Sequence, residues 1–401
     1  MKKGWETKTL GEIADVQSGG TPLVSNKAFW NGNLPWYSSG ELNDLYTSPP
    51  ERHVSLLGIE SSNAKLFPEG SLLIGMYDTA ALKMSILDRA GAFNQAIAGV
   101  RPNERIDLVF VLHAINAIRE SVLGQRRGVR QKNLSLGKIR EIPIPVPPLA
   151  EQQRIVGLLD EALDGLGTAK ANAEKNLQNA RALFESHLQS VFTQRGKGWV
   201  ENKLKSITTK IGSGATPRGG GESYKDEGIS LIRSLNVHDL GFKYAKLAFL
   251  DDAQADELSN VEVQRRDVLL NITGASVARC AIVPDDVLPA RVNQHVSIIR
   301  PVAEKLDADF LHYLLISRPY KDQLLKTGEE GGSTRQAITK AQIQDFTVEY
   351  PAKLKDQKII VVKLDAMLTE TQRLARIYER KLAALAELKK SLLHQAFTGE
   401  L

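Results

Sequence analysis

The 401-residue sequence is 42% hydrophobic and 25% charged, an ordinary globular balance that excludes a disordered chain, a collagen or a disulfide scaffold. Its one cysteine, Cys280, cannot form an internal bridge, and no Cys/His cluster has zinc-ligand spacing, so a reducing, cytoplasmic setting is expected. A formal charge of +5 permits a polyanionic partner without requiring one, and no apolar run approaches the roughly 20 residues needed to span a bilayer.

At roughly 150 residues per domain the length predicts two to three domains. In chain order, Trp5, Leu10 and Ile13 lead into a Gly-rich turn and Thr21-Pro22, and Trp199, Leu204 and Ile207 lead into another and Thr216-Pro217. Asn94-Gln95 recurs as Asn293-Gln294, Arg130-Gln131 as Arg335-Gln336, and Phe192-Thr193 as Phe397-Thr398. So many matches in one order make the chain two direct copies with small loop insertions. Within each copy, short runs such as Leu72-Leu73-Ile74 and Val268-Leu269-Leu270 predict buried strands, and helices are predicted around Leu108–Ile118 and Asp309–Ile316.

A proline-dense stretch from Ile142 to Pro148 then stops that pattern, and a helical one follows. Steps of three and four place Val156, Leu159, Leu163, Leu166, Leu177 and Phe184 on one face. The same steps in the second copy select Leu364, Leu368, Tyr378, Leu382, Leu385 and Leu392. Stripes sustained over about 40 residues predict that the two helices pack on one another as a coiled coil. The expected fold class is α+β: two mixed α/β globular parts, related by a pseudo-two-fold axis and separated by a long antiparallel helical coiled coil. Two similar globular parts held tens of ångströms apart suit a bipartite target on a polymer such as duplex DNA. An assembly scaffold and a self-contained enzyme are the competing readings.

The junction Pro147-Pro148-Leu149-Ala150-Glu151-Gln152-Gln153-Arg154-Ile155 resembles that of the specificity subunits of type I restriction–modification systems. So do the opening Trp5-to-Ile13 pattern, Gly20-Thr21-Pro22, the Asn-Gln pair and the closing Phe397-Thr398-Gly399-Glu400-Leu401. The resemblance covers essentially the whole chain, and the second junction departs from it at Tyr350-Pro351-Ala352-Lys353-Leu354-Lys355-Asp356-Gln357. It implies target recognition domains at 1–150 and 199–350 and helical arms at 151–198 and 351–401. It further implies a double-stranded DNA partner with a bipartite target, two methyltransferase subunits docked on the helices and two restriction/translocase subunits. No cofactor would be bound by this chain: S-adenosylmethionine would serve the methyltransferase, ATP and Mg the restriction subunit, and no membrane would be involved.

Catalytic motifs are missing from the sequence. There is no Walker A loop or HExxH helix, and Pro217 occupies the third glycine position of what would otherwise start as a dinucleotide fingerprint at Gly212. Residues 1–150 carry 17 basic and 14 acidic side chains, and residues 199–350 carry 19 and 21, so neither domain is a basic slab. Local clusters are therefore the candidates for DNA contact. Arg126, Arg127, Arg130, Gln131 and Lys132 form one, with Arg335 and Gln336 as the counterpart; the alternative is a solvated loop. Arg218 and Lys225 on the Gly-rich segment, with Arg233 beyond it, form another. Trp36 and Tyr37 fit a core better than base contacts, and the presence of Asn-Gln in both copies argues for a structural role.

Overall fold

The computed structural model describes residues 5–124, 133–329 and 337–401. The chain divides into two compact units, Met1–Glu174 with Arg380–Leu401, and Lys175–Glu379. Each unit thus combines one globular domain with a part of both long helices.

In the first unit a four-stranded antiparallel sheet runs in the order Val16–Ser18, Ile97–Val100, Leu72–Gly75, Met84–Ile86. The alternation of a strand explains its two cores. Leu72 and Ile74 pack with the helix Leu108–Ala117, while Leu73 faces Tyr37, Phe67 and Phe93. A small sheet flanks it, in which Leu34–Tyr37 pairs antiparallel with Arg52–Val54 and parallel with Ala92–Phe93. The second unit repeats this plan. Thr208–Ser213, Val296–Pro301, Val268–Asn271 and Cys280–Ile282 form the main sheet, and Ile229–Ile232 pairs parallel with Ala290–Val292 in the small one. Val268 and Leu270 share a core with the helix Ala308–Ile316, and Leu269 faces the other way. Asp107 and Asp307 cap those helices, each accepting two backbone N–H bonds at 2.8–3.1 Å.

The proline-dense stretch is more than a stop. Pro143–Val146 pairs antiparallel with Glu6–Thr9, as Thr347–Pro351 does with Trp199–Lys203. A two-stranded ribbon tolerates proline because one edge of each strand needs no partner.

Helices Leu149–Thr193 and Leu354–Thr398 run 45 residues each, and Gly165 and Gly167 sit in the first without interrupting it. Within the first unit Arg154 donates to the Leu401 carbonyl at 2.9 Å, and Ile155 and Leu159 share a core with Leu393 and Ala396. Within the second, Phe184 and Phe192 share a core with Val361 and Leu364, and Arg181 pairs with Glu379 at 2.8 Å. In each unit the helix segments therefore run antiparallel. Of the stripe residues, Leu159, Phe184 and Leu364 are buried; Val156, Leu163, Leu166, Leu177, Leu368, Tyr378, Leu382, Leu385 and Leu392 are half-buried. Burial is deepest where a stripe also meets a globular domain.

Two side-chain links tie each domain to its helix. Gln152, fully buried, accepts from the Asp107 N–H at 2.9 Å and donates to the carbonyls of Pro147 and Arg105 at 2.8 and 3.3 Å. Gln357 repeats this with the Asp307 N–H and the carbonyls of Pro351 and Lys305, at 2.8, 2.8 and 2.9 Å. About two helical turns further on, Asp365 accepts from the Tyr313 hydroxyl at 2.6 Å, and at the matching place Asp160 lies 3.6 Å from Nε2 of the buried His113. Burial pushes His113 below its ordinary 6.5, with Asp160 pulling the other way.

Replacing Gln152 or Gln357 by Ala removes the partner of three backbone groups and should cost about 3 kcal/mol or more, at about 1–3 kcal/mol for each group left unsatisfied and buried; urea unfolding of each variant measures this. The folded state disfavours the His113 imidazolium, so the unfolded chain takes up that proton first. Its contribution to stability is complete above pH about 6.5 and declines as the pH falls toward the lower folded value. The stability gap between wild type and His113→Gln, followed by thermal unfolding from pH 7.5 to 5, should therefore shift against the wild type in acid.

Candidate nucleic-acid interface

Four turns meet at one end of the main sheet, and the same backbone bonds join them in both domains. In the first, the Asn94 N–H donates to the Tyr37 carbonyl at 3.0 Å, Met76 to Ala96 at 2.9 Å, and Leu134 to Met76 at 2.7 Å. In the second, Asn293 donates to Ile232 at 3.1 Å, Ile272 to His295 at 3.0 Å, and Ile338 to Ile272 at 2.8 Å. The Thr-Pro turn closes this frame. Gly19 lies so near the Phe93 carbonyl that a Cβ would stand 2.1 Å from its oxygen, and a Cβ on Gly214 would stand 1.7 Å from that of Val292. Only glycine permits this approach, which brings the Thr21 hydroxyl 2.6 Å from Gln95 Oε1 and lets Thr216 donate to Gln294.

The Asn-Gln pairs therefore hold the frame together, as their duplication implied. Asn94 and Asn293 each accept a backbone N–H two residues on, at 3.1 and 3.0 Å. Trp36 and Tyr37 are core residues, with the Trp36 indole donating to the Gly20 carbonyl at 3.1 Å.

The charged candidates separate into distinct groups. Arg218 is exposed on the turn after Thr216-Pro217. Lys225 pairs with Asp251 at 3.1 Å, which occupies its charge. Arg233 is half-buried, with its guanidinium carbon 5.1 Å from the Tyr224 ring centre and Nη2 donating to the Lys246 carbonyl. Arg126, Arg127, Arg130, Gln131, Lys132, Arg335 and Gln336 lie outside the described residues. The chain re-enters the description at Leu134 and Ile338, both bonded into the frame.

The turns at Asp78–Ala80 and Gly274–Ser276 carry no charge cluster or motif, and the sequence reading passed over them. They match closely: Asp78 and Gly274 both have φ above +45°, as do Leu82 and Ala278 just beyond. His295 was also missed; it bonds Thr273 across the frame and lies 3.2 Å from the Gln294 amide. A usable signal existed in its place directly after Asn293-Gln294.

Other reactive groups are accounted for structurally. Cys280 is buried, its thiol pushed well up by burial, and the nearby His312 bonds the Cys280 carbonyl at 3.2 Å. Asp285 pairs with Arg265, Asp286 accepts from Tyr244 at 3.1 Å, and Asp251 caps a helix. Among the described residues no three His, Cys, Asp or Glu side chains gather as a metal site, and no helix is long and apolar enough to cross a membrane. Gly19→Ala and Gly214→Ala should each unfold at lower temperature by several degrees, as a Cβ forced against backbone requires the frame to open; calorimetry of both variants checks this.

Comparison with known proteins agrees with this duplicated plan. The model of the type I restriction modification DNA specificity domain matches twice, over residues 2–176 and 196–379. The chain is 23% identical over 99% of its length to the EcoBI specificity subunit of Escherichia coli, covering 86% of that protein. It is 31% identical to the Escherichia coli EcoR124I/EcoR124II specificity subunit over 39% of this chain and 40% of that one. Among solved structures, the HsdS subunit from Thermoanaerobacter tengcongensis matches at TM-score 0.63 and 19% identity, covering all of this chain and 98% of that one. A second structure, from work on complex assembly and conformational transition of the type I R-M system, matches at TM-score 0.78 and 19% identity, over all of this chain and 99% of its own. With both globular domains matched by one family model, the chain belongs to the type I restriction–modification DNA specificity family.

Proposed function

We propose that each globular domain reads one half of a bipartite duplex DNA target, and that the two long helices set the spacing and dock two methyltransferase subunits. The family role is that of a non-catalytic, DNA sequence-specificity subunit in a type I complex whose other subunits carry catalysis. The observation that carries the finer reading is the frame of turns, present twice with the same backbone bonds but different side chains: Ser38 against Arg233, Tyr77 against Thr273. One frame bearing two side-chain sets suits one mode of binding applied to two sequences.

On this reading the methyltransferase subunits use S-adenosylmethionine, two restriction/translocase subunits use ATP and Mg, and this chain binds no cofactor. The complex works in the cytoplasm, where its DNA is. The exposed Arg218, and the basic segment that includes Arg126, Arg127, Arg130 and Lys132, would supply phosphate contacts with Gln131; Arg335 and Gln336 would do so in the second domain. Such contacts position the protein without naming a base.

The domains are tested by exchange. Replacing residues 1–150 by the matching part of a relative with another target should change one half of the methylated sequence and leave the other intact. A change in both halves overturns the modular reading. The ruler is tested by matched four-residue insertions in both helices, which add about 6 Å, or one to two base pairs of axial rise. Sequencing the methylated sites should show a longer spacer with unchanged half-sites. Arg126→Ala with Arg127→Ala should lower the slope of log affinity against log salt by about 2 if both touch phosphate.

A further inference from the structure

The shared frame allows positions in the two domains to be matched one to one, and so separates scaffold from readout. Tyr37 and Ile232 are equivalent, each pairing parallel with the strand that enters the Asn-Gln turn. The next residues are Ser38 and Arg233. Both open a tight turn closed in the same way: the Ser38 N–H donates to Glu41 at 2.6 Å, and the Arg233 N–H donates to Asn236 at 3.0 Å. The backbone is thus held alike at one place in both domains, and the side chain there differs in size, charge and donor count.

Resting on the reading that this frame faces DNA, we propose that this position determines specificity: Arg233 reads a guanine in the half-site of the second domain, and Ser38 makes no such contact in the first. Arg233 stands apart from several other cations of its domain, which carboxylates neutralise. Lys225, Arg265, Arg266 and Arg300 pair with Asp251, Asp285, Asp307 or Asp309, and Asp267 respectively. Among the described residues no carboxylate meets Arg233.

Its geometry is also prepared. The fully buried Asn236 fixes the turn at its base, donating as well to the Lys243 carbonyl at 2.8 Å. Asn271, buried at the end of its strand, donates to the Ser234 carbonyl at 2.8 Å. The guanidinium lies by the Tyr224 ring and spends one Nη2 hydrogen on Lys246, while the buried Nε has no partner. Of five N–H donors, the two on Nη1 and the second on Nη2 remain, enough for the fork that donates to both O6 and N7 of guanine. A side chain already held in place loses less freedom when it binds.

The test uses the full chain expressed with its methyltransferase subunit, acting on a library randomised at each half-site position. The wild-type complex should require guanine at one position of the half assigned to residues 199–350. Arg233→Ser should relax that position about ten-fold or more and leave the other half unchanged, with Arg233→Lys intermediate. Ser38→Arg should alter the preference at one position of the first half only. The proposal is overturned if Arg233→Ser keeps every guanine preference, or weakens methylation equally for all bases as a phosphate contact would. Should Arg233→Ser fail to assemble, unchanged preferences in both Arg233→Lys and Ser38→Arg overturn it as well. A wild-type complex that methylates no bipartite sequence would instead refute the underlying reading.

Discussion

A buried glutamine at the start of each long helix holds the architecture together. The N–H of the residue capping the domain helix, the carbonyl two residues before it and a carbonyl just before the arm all bond one fully buried amide. Each would be costly to leave unpaired. One primary amide, with one acceptor oxygen and two donor hydrogens, satisfies all three at once. Glutamate lacks the donors, and leucine lacks both kinds of group. Because Gln152 and Gln357 sit in the first turn of their helices, this local requirement also fixes the direction in which a 45-residue helix leaves its domain.

The same economy explains how duplicated domains can diverge in surface while keeping one fold. Backbone bonds and small side chains carry the frame: glycine for close approach, threonine and glutamine for the lateral link, asparagine for the turn. None of these needs the side chains at the turn tips, so positions 38, 77 and 233 can change without disturbing it. Charge follows a similar division. Arg300 is spent on the buried Asp267 in a two-fold bond, both distances 2.7 Å. Its counterpart Arg101, in a domain with Ser71 at the place of that aspartate, donates to the Leu66 carbonyl at 3.1 Å and stacks 4.1 Å from the Phe67 ring centre. Arginines within the sheet are thus structural, whereas Arg218 and Arg233 on turns meet no carboxylate among the described residues.

The link between domain helix and arm shows how one contact can be met by different chemistry. Tyr313 offers a neutral hydroxyl whose ionisation burial suppresses, while His113 offers an imidazole held neutral by burial. The tyrosine bonds an aspartate on the arm at 2.6 Å, whereas the histidine lies 3.6 Å from one and makes that place sensitive to acid.

By itself the sequence determined the duplication, the two arms with their apolar faces, the strand-rich character of each domain and the absence of catalytic motifs. These are properties of order and periodicity, which survive without coordinates. The structural role of Asn94-Gln95 and Asn293-Gln294 was legible too, from their presence in both copies. Which turns converge was decided only by tertiary structure, because Gly19, Ser38, Tyr77 and Leu134 are far apart in the chain and meet through strand pairing. The pairing of Lys225 with Asp251 was equally hidden, since a cation looks free in a sequence until its partner folds beside it. The merging of each domain with parts of both arms had the same origin: antiparallel packing brings the end of the chain to the start of the first helix, a contact across some 250 residues that no local pattern encodes.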